Sequence, residues 1–319
     1  MRRLIHIKHT VAYGEDLAAV PNCNTPEAKP MGWFKVGELE VARIVEIEEP
    51  FLLPEQMFAE ATPEAIAPYR EWLEPHALCP RTGKLILPIQ TYVVRTRHHV
   101  ALVDTCIGND KSPAGFKRWA GRSDDGWLRK LATLGIAPAD VDYVFCTHLH
   151  LDHCGWHTRR IGGRWVPTFP NARYLFSREE FAYAERRQRE HQDPVFAENV
   201  LPIMEAGLGE LVAPDHVIDD ALRLESTPGH TPGHVAVHMT SGQHDAVVTG
   251  DLVHSPLQCV HPEWNFVYDE LPELAAVTRR NFMERYADGP TVILASHFPS
   301  PSIGRFERSG RAYKYCYRT

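Results

Sequence analysis

The sequence lacks the features that would place the chain in a membrane or on nucleic acid. No apolar run among its 319 residues approaches the roughly 20 that a bilayer-spanning helix needs. A formal net charge of −7 offers no basic surface for wrapping nucleic acid. The N-terminus shows no apolar stretch of about 7 to 15 residues with a cleavage site, so we expect no signal peptide. We therefore predict binding to neither membranes nor nucleic acid.

Other patterns are missing as well. The seven cysteines form an odd set with no Cys-x-x-Cys pair, which argues against a disulfide framework or a zinc ribbon. A Gly-x-Ser-x-Gly turn and a phosphate-cradling glycine loop are both absent, which removes two common classes of enzyme site. We expect a reducing, cytoplasmic setting for this chain.

The composition is that of a folded globular protein, with 44% hydrophobic and 24% charged residues. Short runs rich in Val and Ile alternate with helical stretches, so the predicted class is α/β with mixed sheets. We expect residues 1–30 to form an N-terminal arm or extension and residues 31–319 to form a single domain. The predicted strands lie at 33–47, 89–94, 100–104, 141–147, 172–176, 222–226, 235–239, 246–249 and 291–295.

Two helices carry clear signals. The segment from Ser177 to Glu180 predicts a capping box that opens a helix with a charged outer face. A second helix is predicted over residues 271–287, where Gly289 and Pro290 end it.

A dense cluster of metal-ligand residues follows the predicted strand at 141–147. Within six residues the chain carries His148, His150, Asp152 and His153. Imidazole and carboxylate groups on a turn that leaves a strand suit a borderline divalent cation such as zinc. Three further ligand residues follow later predicted strands or turns, namely His230, Asp251 and His297.

The pattern His148-x-His150-x-Asp152-His153 resembles the signature of the metallo-β-lactamase superfamily. The segments that end at His230, Asp251 and His297 resemble its later ligand segments, in the same order. The resemblance implies a four-layer αβ/βα sandwich with two divalent metal ions, expected to be Zn²⁺, in a cleft along one edge.

The resemblance also implies a division of the ligands between the two ions. One ion would be held by His148, His150 and His230. The other would be held by Asp152, His153 and His297, with Asp251 bridging the two. Asp104 and His234 lie outside these sets and are expected to support the ligands from behind. Asp104 resembles a carboxylate of this superfamily that orients a ligand histidine.

Two neighbouring cations share a water and lower its pKa toward about 7, so that a metal-bridged hydroxide is available as a nucleophile. The expected function is hydrolysis of a lactone or a carboxylic ester. The alternative is a phosphotriester hydrolase resembling methyl parathion hydrolase. A β-lactamase, a glutathione-thioester hydrolase and a non-catalytic metal-binding sensor are less favoured, because the sequence shows no export signal, no cationic C-terminal segment and no lost ligand.

Acyl-homoserine-lactone lactonases of this superfamily carry a tyrosine three residues after the bridging aspartate, and this chain carries His254 there. The predicted catalytic residues are Asp152 and His254, since an imidazole can donate a hydrogen bond or a proton in that place. A plain structural role for His254 is the alternative. Six residues suit either the apolar walls of a substrate pocket or a homodimer contact: Met57, Phe58, Trp72, Trp264, Phe266 and Tyr268.

Overall fold

A computed structural model describes residues 32–112 and 117–318, and the predicted arm at 1–30 lies outside them. Two large β-sheets and one hairpin make up the strands. In chain order the strands are β1 (Phe34–Val36), β2 (Leu39–Pro50), β3 (Ile86–Arg95), β4 (Val100–Val103), β5 (Tyr143–Phe145), β6 (Thr158–Ile161), β7 (Arg164–Pro167), β8 (Arg173–Ser177), β9 (Gly209–Val212), β10 (Leu222–Ser226), β11 (Val235–Ser241), β12 (His244–Val248), β13 (Val292–Leu294), β14 (Ile303–Ser309) and β15 (Ala312–Tyr317).

Most helices are short. They are α1 (Pro54–Met57), α2 (Pro63–Ile66), α3 (Arg70–Leu73), α4 (Gly126–Thr133), α5 (Leu151–Cys154), α6 (Arg178–His191), α7 (Pro194–Asn199), α8 (Leu201–Glu205), α9 (Leu257–Val260) and α10 (Pro272–Tyr286). Among the residues that the structure describes, no helix combines the length and the apolar character needed to span a bilayer.

The two sheets pack face to face. The first has the order β1-β2-β3-β4-β5-β8-β9 and the second the order β10-β11-β12-β13-β14-β15. Between them, Val94, Val103 and Phe145 of the first sheet share one buried cluster with Val237 and Val248 of the second. Because side chains alternate along a strand, the neighbouring residues of these strands face outward, away from the other sheet.

Helices cover both outer faces. Trp127 of α4 and Phe196 of α7 belong to the core on the outer side of the first sheet. Phe282 and Met283 of α10 belong to the core on the outer side of the second. The order of layers is therefore helix, sheet, sheet, helix, and both sheets contain parallel and antiparallel pairs. The prediction of a four-layer αβ/βα sandwich with mixed sheets is confirmed.

Strand direction gathers several loops at one edge of the sandwich. β4 and β5 are parallel neighbours, and so are β12 and β13, so the segments that follow each pair leave from the same end. β11 runs antiparallel to β12, with Val237 opposite Val248. The loop from β10 to β11 therefore lies at the end where β12 finishes.

The predicted strands correspond to strands of the two sheets, and 222–226 coincides with β10. The helix predicted over 271–287 is α10. The hairpins β6–β7 and β14–β15 were not predicted from the sequence. Their strands carry charged side chains such as Arg160, Arg164 and Arg305 on exposed positions, so the apolar signal that marks a buried strand is weak.

The predicted capping box at Ser177 and Glu180 is wrong. Helix α6 does begin at Arg178, but the Ser177 side chain makes no capping hydrogen bond and its hydroxyl is buried without a partner. The Glu180 side chain does not return to the start of its own helix, because it is buried on the inner side of α6.

Glu180 instead connects two of the loops that meet at one edge of the sandwich. Its carboxylate accepts hydrogen bonds from the Leu149 backbone N–H at 2.9 Å, the Thr231 hydroxyl at 2.6 Å and the Gly233 N–H at 3.2 Å. Three donors compensate a buried carboxylate for its lost hydration. The loop after β5 and the loop from β10 to β11 are thereby held together.

Most of the cysteines whose state the structure gives are free thiols: Cys106, Cys146, Cys154, Cys259 and Cys316. Cys79 is disulfide-bonded, which the expectation of a reducing setting did not include. Burial raises the pKa of the Cys154 thiol well above its ordinary value. Although Cys154 adjoins the histidine cluster, it is therefore a poor nucleophile.

A close backbone contact behind this cluster predicts the effect of one substitution. A Cβ on Gly155 would lie 1.8 Å from the Ile107 carbonyl oxygen, although the backbone angles of Gly155 are helical and suit alanine. Gly155→Ala should lower the free energy of unfolding by about 1–3 kcal/mol, the usual cost of overpacking, as measured by urea titration. Gly32→Ala is the control, since an added Cβ there meets no atom of the described residues within 4 Å. An unchanged urea midpoint for Gly155→Ala would contradict this packing argument.

Candidate metal centre

Seven histidine and aspartate side chains converge at the edge where loops of both sheets meet. Four of them come from the first sheet, on the segment that runs from the end of β5 into α5. The other three come from the second sheet, on the loops after β10, β12 and β13. Within each of the groups described below, the potential ligand atoms lie within 4.8 Å of one another.

The first group contains His148, His150 and His230. The Nε2 atom of His148 lies 2.9 Å from Nδ1 of His150, which lies 3.1 Å from Nε2 of His230. Three ring nitrogens therefore point at a common position.

The second group contains Asp152, His153 and His297. The Nε2 atoms of His153 and His297 lie 3.2 Å apart. The Oδ2 atom of Asp152 lies 3.6 Å from the first nitrogen and 3.8 Å from the second. Asp152 is the more exposed member, at the outer side of this group.

The Asp251 carboxylate lies between the two groups and offers one oxygen to each. Its Oδ2 atom is 3.5 Å from Nε2 of His148 and 3.2 Å from Nε2 of His230. Its Oδ1 atom is 3.0 Å from Nε2 of His153 and 2.9 Å from Nε2 of His297. This is the arrangement that a carboxylate shared by two metal ions requires.

Hydrogen bonds on the far side of three rings fix which nitrogen points inward. Nδ1 of His153 donates to Asp104 at 2.9 Å, and Nδ1 of His230 donates to Asp269 at 2.9 Å. Nδ1 of His297 donates to a backbone carbonyl of β3 at 2.8 Å. Each outer nitrogen therefore carries a proton, and each Nε2 atom is left for the centre.

The inward atoms need positive charge between them. The Oδ1 atom of Asp251 is buried and accepts no hydrogen bond from any residue within 32–112 or 117–318. Placing protons on the inward nitrogens of His153 and His297, which lie 3.2 Å apart, brings two like charges together. A divalent cation satisfies both nitrogens and the carboxylate at once, so this donor set fits two ions of the zinc type.

The electrostatics agree with this arrangement. Burial would raise the pKa of Asp251, but the surrounding histidines hold it well below its ordinary range. Burial lowers the pKa of His148 and His150 well below the usual value, which leaves these rings neutral and able to bind a metal. Burial opposes protonation of His230 too, yet Asp251 and Asp269 raise its pKa to about 9. Protons and metal ions therefore compete for its inward nitrogen.

Asp104 and His234 lie behind the candidate ligands and contact them or their backbone. Besides His153, Asp104 accepts the Thr147 backbone N–H at 2.8 Å. Nε2 of His234 accepts the backbone N–H of Asp251 at 2.9 Å. Burial lowers the pKa of His234 to about 3, so the ring stays neutral and holds the backbone that carries Asp251.

His254 lies directly against the centre. Its Nε2 atom is 3.0 Å from Oδ2 of Asp251, and its Nδ1 atom is buried without a hydrogen-bond partner. The ring stacks on Phe266 with centroids 3.7 Å apart. Burial lowers the pKa of His254 to about 4, so the imidazole is neutral and has a single N–H to donate.

An aromatic cluster adjoins His254. Phe58 packs against Trp264 and Phe266, and Tyr268 meets Phe266 with ring centroids 5.2 Å apart. Met57 is fully buried behind this cluster and is tied to it by its carbonyl, which accepts the backbone N–H of residue 267 at 2.9 Å.

Trp72 stands apart from the other predicted pocket residues. It is 43% exposed and meets Tyr69, whose ring contacts His261, which stacks on Trp264. On the single turn of α3 the adjacent Leu73 faces the core, so Trp72 is turned outward.

Sequence reasoning missed Asp269 and Arg279. Asp269 accepts the proton of His230, and the buried Arg279 donates to Asp269 at 3.1 Å. Neither residue lies in a recognisable motif. The one available signal was an arginine on an otherwise apolar face of α10, flanked by the buried Ala275 and Phe282.

Comparison with known proteins places this site in a family. The sequence matches the Metallo-beta-lactamase superfamily over residues 86–297, more than half of the chain, and that region includes every candidate metal ligand. The chain belongs to the metallo-β-lactamase superfamily.

Its relatives include lactonases. The N-acyl homoserine lactonase AttM of Azorhizobium caulinodans is 46% identical over 63 residues, which are 20% of each chain. An N-acyl homoserine lactonase of Bacillus thuringiensis is 26% identical over 177 residues, which are 52% of this chain and 64% of that protein. The matches therefore span less than two thirds of the length of these relatives.

Solved structures share the whole fold. The hydrolase AbOPH of the beta lactamase superfamily aligns with a TM-score of 0.75 at 22% identity, covering 90% of this chain and 97% of that one. The dizinc quorum-quenching lactonase AidC aligns with a TM-score of 0.70 at 21% identity, covering 90% and 98%. At these identities the similarity shows a common fold.

The position of Asp251 predicts how metal binding fails in variants. The wild-type chain should bind two ions, and Asp251→Ala should lose more metal and more activity than Asp152→Ala, because only Asp251 offers an oxygen to both groups. Elemental analysis after metal saturation and dialysis measures the ions per chain. One ion in the saturated wild type, or equal losses in the two variants, would contradict the bridging arrangement.

Proposed function

We propose that this chain is a binuclear metal-dependent hydrolase that acts on a lactone or a carboxylic ester, with Zn²⁺ as its ion. The observation that carries the proposal is the buried Asp251 carboxylate, which faces one set of histidines with each oxygen. The relatives named as N-acyl homoserine lactonases and the dizinc lactonase neighbour support the substrate class and the metal.

In this proposal the ligands divide as the two groups do. His148, His150 and His230 would hold one ion, and Asp152, His153 and His297 would hold the other, with Asp251 offering an oxygen to each. The chemistry that such a pair of divalent cations would supply is a hydroxide nucleophile at neutral pH and polarisation of the substrate oxygen.

In this proposal, side chains beside the ions bind the substrate and donate a hydrogen bond to it. The single N–H of His254 lies on Nε2, 3.0 Å from Oδ2 of Asp251; where the metal ions take the Asp251 oxygens, this N–H is left to donate to the substrate carbonyl or to the leaving oxygen. Phe266 covers one face of His254 and keeps water away from it. Phe58, Trp264 and Tyr268 extend this apolar surface, which suits the acyl chain or ring of an ester.

Other expectations stay predictions. They are the arm at 1–30 with a single domain at 31–319, the cytoplasmic setting, and a homodimer contact made by aromatic residues. Trp72 is the strongest candidate for such a contact, because it is the most exposed of the predicted pocket residues.

A substrate panel tests the reaction. The protein loaded with zinc, manganese or cobalt would be assayed against lactones, aryl esters and phosphotriesters. We expect the highest kcat/KM with a lactone or a carboxylic ester, and loss of turnover after chelation. A preference for phosphotriesters would replace the proposal with its alternative. A chain that binds two ions and turns over none of these substrates would point to the metal-binding sensor.

Substitution of His254 tests its part in catalysis. If His254 donates to the substrate, His254→Phe should lower kcat by about 10²–10⁴-fold on the best substrate, the usual range for a positioned acid or base, with both ions retained. His254→Tyr should restore part of the rate, because a phenol can also donate.

Metal content separates this role from a purely supporting one. His254 also lies 3.0 Å from Asp251, so a supporting histidine would show itself by loss of metal in both variants. Near-wild-type kcat for His254→Phe would remove the residue from the mechanism.

A further inference from the structure

A single buried arginine connects the candidate metal centre with the aromatic cluster. Arg279 of α10 is 1% exposed. Its guanidinium donates to the carbonyl of Leu252 at 2.8 Å, to that of Pro262 at 2.9 Å and to that of Trp264 at 2.8 Å. Leu252 follows Asp251 directly, whereas the other two carbonyls belong to the segment that carries the aromatic residues.

The remaining hydrogen bond of Arg279 goes to Asp269. This carboxylate is as buried as the arginine, with Oδ2 3.1 Å from the guanidinium and Oδ1 2.9 Å from Nδ1 of His230. Oδ2 also accepts the Phe266 backbone N–H at 3.0 Å. Both oxygens of Asp269 are therefore held by hydrogen-bond donors.

A buried ion pair is a poor source of stability, because desolvating two charges offsets most of their attraction. The geometry indicates a positional role for this pair. A neutral His230 can carry its proton on either nitrogen, and only the Nδ1–H form leaves Nε2 free for a cation. Asp269 selects that form, and Arg279 fixes the carboxylate that selects it.

We infer that Asp269 and Arg279 form a positioning unit that holds His230 ready for its metal ion and locks the aromatic segment to the same ion site. The inference rests on the proposed binuclear centre. Neither residue touches an ion or the substrate; both act through His230 and the backbone. Asp104 stands in the same relation to His153 in the other group, so each half of the centre has its own carboxylate behind a histidine.

Metal affinity tests the unit directly. Asp269→Asn keeps the shape of the side chain, but an amide offers one acceptor and cannot satisfy both His230 and Arg279. Zinc affinity is measured by competition with a chromogenic chelator on the folded protein, and folding is monitored by circular dichroism. We expect one of the two ions to bind about 10–100-fold more weakly, the usual effect of removing a group that orients a metal ligand.

Arg279→Lys is the second variant and keeps the buried charge. Lysine lacks the planar guanidinium, whose N–H groups donate to three carbonyls and a carboxylate. We therefore expect zinc affinity to fall, as in Asp269→Asn. The matched control is Arg280→Lys, because Arg280 is exposed and pairs at 3.3 Å with the exposed Glu263. That variant should bind zinc as the wild type does.

The outcomes are distinct. If Asp269→Asn, or Arg279→Lys where the first variant does not fold, binds both ions with wild-type affinity, the inference is wrong, even if the variant is less stable. A loss of equal size in Arg280→Lys would also overturn it. Because the readout is zinc binding, a wild type that binds two ions but hydrolyses no ester would defeat the proposed function and leave this inference standing.

Discussion

A buried carboxylate shared between two sets of imidazoles is the interaction on which the rest of this site depends. Asp251 has lost its hydration, and the inward nitrogens of His153, His230 and His297, whose outer nitrogens carry the proton, can compensate it only by carrying positive charge. A pair of divalent cations would supply that charge in place of protons on neighbouring rings. Loops on both sheets place histidine nitrogens about 3 to 4 Å from the oxygens of this one residue.

The ligand histidines are fixed mainly by hydrogen bonds on the side of each ring that faces away from the centre. Outer ring nitrogens are bonded to a carboxylate after β4, a carboxylate before α10 and a backbone carbonyl of β3, which are three separate elements. Glu180 adds a fourth constraint by joining the loop of His148 to the loop of His230. Because each constraint starts from a different element, no single loop determines the geometry, and the inward direction of each ring follows from the packing of the whole fold.

Local patterns in the sequence predict most of the strands, and the family resemblance carried by the ligand motifs implies the layered fold and the grouping of the ligand residues. His148 to His153 stand out because four ligands in six residues are rare outside a site. Residues that act through partners distant in the sequence leave no such signal. Asp269 is one of 41 acidic residues, and only its contact with His230, 39 positions away, distinguishes it from the others. The predicted role of Glu180 was wrong for the same reason. Its spacing from Ser177 is that of a capping box, but burial and three donors from other loops decide where it points.

The candidate ligands come from both sheets, and this has a consequence for the sandwich itself. The core between the sheets is mostly apolar, and among the described residues its directional bonds include those from Gln90 and Tyr92 of β3 to the carbonyl of Ala295, which follows β13. Ions held as proposed, by residues after β5 and residues after β10, β12 and β13, would add a further link between the two sheets. Free metal at about 1,000 times its dissociation constant would add about 4 kcal/mol to the stability of the folded state. The supply of metal would then affect how firmly the two sheets are joined, in addition to whether the centre is filled.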